Sequence, residues 1–243
     1  MDSHNQNVRK ILTTLLIAQG LGSAAITSLA TIATIVGAEL SGGASLAGLT
    51  ASSFQLGTAF GSIFWSLASD RLGWRGSLSS AVLIGALGAL GAVFGVFSQS
   101  FWFLLASLFV AASAQAAFNL GRFTAAEVSQ PEKRGRAVAL IVLGGTVGSV
   151  VGPQLITLSS QLAKNAGLSE WVGPYSVTAI LFALTAVFLF INLRPEPKRL
   201  AETVAKSQSV PNTEPRSLAV LFRQPQVLAA IGAMVISHGV MVM

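Results

Sequence analysis

Of 243 residues, 52% are apolar and only 10% are charged, against about 25% charged in soluble domains. A soluble fold of this length has too little interior to hide that much apolar surface, so composition excludes it and indicates an all-α, polytopic membrane protein. The absence of cysteine rules out disulfides and thiolate metal sites, and the net charge of +6 bears on topology rather than on nucleic acid because of where the cations fall.

In chain order, polar Met1–Lys10 leads into Ile11–Val36, an uncharged stretch that can cross the hydrocarbon core with tilt, about 20 residues being enough. The stretch is too long for a signal-peptide core and no clear cleavage site follows, so it reads as a retained first span. Gly37–Ser45 is a loop and Leu46–Ser69 the second span. A charged turn precedes the third span, Ser77–Phe97, whose Gly85, Gly88, Gly91 and Gly95 allow close approach of a neighbouring helix. Ser98–Ser100 is a minimal loop and Phe101–Gly121 the fourth span. Gln130–Arg136 is a polar turn with a proline and a basic cluster; Ala137–Gln161 and Gly173–Leu193 are the fifth and sixth spans. Arg194–Gln224, polar and broken by prolines, is an exposed connector. Val227–Met243 begins a seventh span with no hydrophilic end, so the sequence reads as a fragment of a longer protein. The expected division is a six-helix bundle over 1–193, a cytoplasmic linker over 194–224 and the start of a second membrane half over 225–243.

Charge sets the expected orientation. Loops taken alternately place Arg9, Lys10, Arg71, Arg75, Arg122, Lys133, Arg134, Arg136 and the linker's cations on one side and only Lys164 on the other. Positive residues favour the cytoplasmic side, so the N-terminus and linker are expected there.

The turn Ser66-Leu67-Ala68-Ser69-Asp70-Arg71-Leu72-Gly73-Trp74-Arg75 packs a carboxylate, two guanidiniums and a glycine between two membrane-length segments. Ionised groups are expensive in hydrocarbon, so it must lie at a membrane surface. This run resembles the loop between helices 2 and 3 of the major facilitator superfamily of secondary transporters, roughly Gly-x-x-x-Asp-Arg-x-Gly-Arg-Arg/Lys. Asp70, Arg71, Gly73 and Arg75 match, while Ser66 and Trp74 stand where Gly and Arg are usual. The turn Pro131-Glu132-Lys133-Arg134-Gly135-Arg136 is similar to a second turn common in that family.

The resemblance implies two inverted three-helix repeats, with a substrate cavity between this half and a second one. It implies that Asp70, Arg71, Gly73 and Arg75 form a conformational switch, and that Arg122, Glu127, Arg134 and Arg136 form a charge network at the same surface, with Asp70 within reach. A surface carboxylate neutralised by Arg71 and Arg75 is the simpler reading of Asp70. Gly144, Gly148, Gly152 and Pro153 resemble the Gly-x-x-x-Gly-Pro motif of family antiporters, mostly drug exporters, although the glycine pair that should follow is replaced by Ile156-Thr157. Helix packing alone explains the same glycines.

Family architecture makes Gln19, Thr27, Thr31, Gln55, Gln115, Asn119 and Gln154 the cavity candidates, with helix–helix hydrogen bonding as their alternative use. No ionisable residue lies well inside any of the six spans; Ala106–Phe109 stand where proton-coupled members often carry an arginine. That favours a neutral or amphiphilic solute and leaves any proton carrier to the second half or to His238 in the seventh span, where a hydrogen-bonded structural histidine is the simpler reading. The motifs of P-loop nucleotide binding, zinc proteases and serine hydrolases are absent, so neither an enzyme nor an ATP-driven pump is expected. The expected partners are the lipid bilayer, a small-molecule substrate and a second half or partner chain, with no cofactor, metal or nucleic acid. The expected location is a bacterial inner membrane. The alternative is a non-transporting half-size module that pairs with another chain for assembly or sensing.

Overall fold

The computed structural model describes residues 2–43, 46–198, 200–201, 227–229 and 232–233. Among them are five helices, α1 (Asp2–Leu40), α2 (Gly48–Phe97), α3 (Phe101–Glu127), α4 (Arg134–Asn165) and α5 (Val172–Asn192), with a 3₁₀ turn at Pro131–Lys133 before α4. All five are long and apolar enough to cross a membrane.

The second and third expected spans both fall in α2, which has 50 residues. Straight, it would reach about 75 Å, more than twice the hydrocarbon thickness. It does not run straight. Gly73 has φ 71° and ψ 170°, a conformation essentially reserved for glycine, and it divides α2 into an arm over 48–72 and an arm over 74–97. The Ser77 hydroxyl donates to the Trp65 carbonyl at 2.7 Å, although the two residues would lie about 18 Å apart along a continuous helix. The arms therefore fold back on each other, and the expected charged turn shrinks to one residue, with Asp70–Leu72 and Trp74–Arg75 still helical.

Other boundaries differ from expectation in one direction: the helices are longer. α1 starts at Asp2 rather than Ile11, since no Pro or Gly interrupts 2–10 and extending a formed helix adds one hydrogen bond per residue. α3 continues to Glu127 and α4 begins at Arg134 for the same reason. α4 runs on through Pro153.

Glycines set the packing. Positions where a Cβ would stand at Gly144, Gly148 and Gly152 of α4 meet the carbonyl oxygens of Leu16, Gly20 and Ala24 of α1. The offset is the same at each level, so the two helices run parallel with their backbones touching. Ser28 of α1 closes the series by donating to the Gly152 carbonyl at 2.6 Å. On the other side, Gly57 and Gly61 of the first α2 arm meet Phe109, Ala112 and Ala116 of α3. Gly85, Gly88, Gly91 and Gly95 of the second arm meet Ala114, Ala111, Ser107 and Leu104, in descending order. The first arm is thus parallel to α3 and the second antiparallel. Leu29, Leu78, Leu104, Ile141, Tyr175 and Phe182 are fully buried between these layers. Outward, Phe60, Phe64, Leu67, Trp102, Val147 and Leu162 are each more than 60% exposed, a surface suited to lipid and not to water.

Helix directions gather the charges. Arg9, Lys10, Arg71, Arg75, Arg122, Lys133, Arg134, Arg136, Arg194 and Lys198 all fall at the end of the bundle that carries Gly73. Lys164 is the only described cation at the other end. The chain divides into a compact unit over Met1–Val204 and a second over Ala205–Met243; in the second, Val227–Ala229 and Gly232–Ala233 are helical. Most of the expected linker and of the seventh span, His238 included, lies outside the described residues.

The α1–α4 seam has no room for a side chain at its middle contact. Gly148→Val is expected to lower stability by about 1–3 kcal/mol, read as a lower melting temperature in detergent. Gly135→Ala, which meets open space, should leave it unchanged.

Candidate functional site

The break at Gly73 is clasped from three sides. Trp74, 8% exposed, donates its indole N–H to Glu127 Oε2 of α3 at 3.1 Å. Arg75 donates through Nε to the Phe190 carbonyl of α5 at 2.7 Å, and its guanidinium carbon lies 4.2 Å from the centre of the Phe190 ring. The segment after α5 supplies the third side. Glu196 Oε1 accepts the Arg75 backbone N–H at 3.2 Å, and Lys198 Nζ donates to Asp70 Oδ1 at 3.1 Å. A Cβ at Gly73 would lie 2.7 Å from Glu196 Oε1, so this residue is required to be glycine both by its backbone and by its neighbour.

These contacts differ from the ion pairs expected within the charged turn. Asp70 pairs with Lys198, not with Arg71 or Arg75, because Arg75 points at the end of α5. Glu127 accepts from the neutral Trp74. Among the described residues Arg71, Arg122, Arg134 and Arg136 form no ion pair; Arg134 and Arg136 are exposed, and Arg122 has its Nε buried without a partner. A charge network joining Arg122, Glu127, Arg134 and Arg136 is therefore not formed in this conformation.

Two polar ladders line the bundle above the clasp. On α1, Gln19 is 4% exposed and donates to Ser23 Oγ at 3.3 Å. Thr27 donates to the Ser23 carbonyl at 2.8 Å, and Thr31 to the Thr27 carbonyl at 2.8 Å. This ladder faces α4, where Gly145 leaves room for Gln19 and Ser23 and Gly152 for Thr27. On α3, Gln115 donates to Asn119 Oδ1 at 3.4 Å, and Arg122 follows on the same helical stripe. Gln19 also borders a cavity of about 10 Å³ between Leu15, Ala117, Gly121 and Ile141, room for about one water. Gln55 and Gln154 are exposed and belong to neither ladder. Gly144, Gly148 and Gly152 are spent on the α1 seam, while Pro153 is exposed beside it.

The sequence pattern of the Major Facilitator Superfamily matches residues 15–243. The chain belongs to this superfamily. It is therefore an integral membrane protein of a transporter family and not an enzyme. It is 28% identical to the uncharacterized MFS-type transporter YdeG of Bacillus subtilis, over 96% of this chain and 55% of that one. It is 26% identical to the riboflavin transporter RfnT of Brucella anthropi, over 96% of this chain and 56% of that one. Among solved structures, a double-tryptophan mutant of XylE matches with a TM-score of 0.51 at 17% identity, covering 83% of this chain and 48% of the other, a likeness of fold. The chain thus spans about half the length of the relatives it matches.

Within this superfamily member, several contacts escape sequence reading. Ser23, Trp65 and Glu196 carry no motif, yet Ser23 receives Gln19, Trp65 donates to Ser113 at 2.8 Å, and Glu196 braces the break. Glu196 and Lys198 stand 121 and 128 positions from their partners, so no local signal pointed to them. At the opposite end, Glu39 accepts the Trp171 indole N–H at 2.6 Å, and Lys164 pairs with Glu170 at 2.5 Å. Gly73→Ala should cost about 1–3 kcal/mol through backbone strain, read in thermal unfolding; Glu196→Gln, which removes charge but keeps an acceptor, should cost less.

Proposed function

We propose that this chain is half of a secondary transporter that moves a neutral or amphiphilic small solute by alternating access, with a second membrane half, in the same polypeptide or another, completing the cavity. The observation that carries the reading is a bundle whose long apolar helices hold amides and hydroxyls inside and ionised groups at the ends. Gln19, Ser23, Thr27, Gln115 and Asn119 offer hydrogen bonds without a fixed charge, suited to a solute that has donors, acceptors and an apolar face. Riboflavin, carried by the relative from Brucella anthropi, is such a molecule.

In this reading the helices make six spans, with the α2 arms counted separately. The charged end, including the N-terminus and the segment from 194 to 224, faces the cytoplasm, and the membrane is a bacterial inner membrane. The resemblance to the Gly-x-x-x-Gly-Pro motif is the support for export by antiport, and packing on α1 explains the same glycines. The hairpin acts as the switch. The Asp70–Lys198 pair is solvent-exposed, with Asp70 at 74%, and such pairs contribute roughly 0–1 kcal/mol. Asp70 can therefore exchange Lys198 for a donor on the second half at little cost, and a contact made in one state only biases the equilibrium between states. In this reading Arg122, whose Nε is buried without a partner, joins that exchange.

Two measurements test this. In the complete protein, with riboflavin as the first probe solute, Asp70→Asn should change the transport rate about fivefold or more while membrane abundance holds; normal transport would remove the switch. The chain has no cysteine, so single cysteines report sidedness directly. Gln99→Cys and Lys164→Cys should react with an impermeant maleimide on intact cells, and Glu132→Cys only after permeabilisation.

A further inference from the structure

A groove away from the clasp and the polar ladders holds charge that no ion pair among the described residues answers. It lies between the first turns of α1 and the last turns of α5, encloses about 480 Å³, and is lined by Arg9, Lys10, Thr13 and Ile17 on one wall and Phe188 and Asn192 on the other, among others. Arg9 and Lys10 are exposed and form no ion pair among the described residues. The Thr13 hydroxyl is turned back onto the Arg9 carbonyl, and Asn192 donates to the Phe188 carbonyl. The two cations are left as the charged donors of the groove. No acid lines it. Among the acids whose side chains are described at this end, Asp70 is engaged with Lys198, Glu127 with Trp74 and Glu196 with Arg75, and Glu132 stands on the turn before α4.

Deeper along α1 the wall changes character. Ile17 and Phe188 are apolar, and Ile17 lies about 12 Å along the helix axis from Arg9. Cations outermost with an apolar wall beneath follow the profile of a phospholipid, phosphate above and acyl chain below. The α1–α4 register sets Arg9 level with Ala137, so Arg134 and Arg136 lie at the same end of the bundle but do not line the groove. Basic recesses between membrane helices attract anionic headgroups, whereas a soluble anion would leave the apolar half of the groove unfilled.

We propose that this groove binds an anionic phospholipid, its phosphate held by Arg9 and Lys10 and its acyl chain lying against Ile17 and Phe188. The lipid belongs to whichever leaflet the N-terminal end of α1 occupies. The site therefore depends on the chain being embedded in a membrane, but on neither its sidedness nor its transport activity.

The test is native mass spectrometry of the full chain taken from nanodiscs that contain equal phosphatidylglycerol and phosphatidylcholine. The wild type should retain phosphatidylglycerol in preference. The R9Q/K10Q variant should lose that preference by about 30-fold, the size expected for two cations at a headgroup, and the charge-conserving R9K/K10R should keep it. R134Q/R136Q removes the same charge from the same end but outside the groove, and should retain the lipid as the wild type does. Equal retention of both lipids by the wild type would overturn the proposal. So would an equal loss in R134Q/R136Q, which would mean diffuse attraction, or displacement of the lipid by excess inorganic phosphate, which would mean a site for a soluble anion. Elution profile and helical circular dichroism confirm that each variant is folded before it is compared.

Discussion

Backbone contact between helices is the constraint on which the rest of this structure depends. In a bilayer a helix gains no hydrophobic free energy by leaving lipid for another helix, so association rests on close van der Waals approach and on hydrogen bonds. The α1–α4 seam and both α2 arms on α3 use the same solution: glycines spaced to meet a carbonyl or an alanine of the neighbour. Because each contact is a backbone contact, the helices hold their register without help from large side chains. That leaves the outward faces free to be apolar and the inward flanks free to carry amides and hydroxyls.

The same economy appears at the break in α2. A single residue with positive φ replaces a loop, and the groups around it hold the two arms in place. Only one of the clasping contacts, Lys198 with Asp70, is an ion pair. The others are an indole on a carboxylate, a guanidinium on a carbonyl and a carboxylate on a backbone amide. The strand of chain leaving α5 is thereby tied to the hinge. This segment touches Asp70 and the Arg75 backbone, both in the turn proposed as the switch.

The polar interior carries a related lesson. Gln19, Thr27, Gln115 and Asn119 each find a local partner one turn away on their own helix. Self-satisfied ladders keep the helices stable in lipid, where an unpaired amide is costly, and such short-range bonds can open to a ligand without dismantling the fold. Among the described residues Arg122 and Tyr175, each with a buried polar atom unpartnered, are the exceptions.

Membrane class, the approximate course of the apolar segments, the grouping of cations and the superfamily were all legible in the sequence. Hydropathy, charge and a contiguous motif are properties of residues read one after another, and a bilayer selects on those properties directly. The sharpness of the turn between the second and third expected spans was not legible, because a charged loop and a single glycine of positive φ leave the same composition. Neither were the partners of the charged residues. Trp74 meets Glu127 across 53 positions and Lys198 meets Asp70 across 128. Arg71 and Arg75 lie within five positions of Asp70, yet Asp70 takes neither, and Arg75 turns to Phe190. Pairings of that kind follow from helix register and rotation, which glycine contacts between distant segments determine, so only the tertiary structure could decide them.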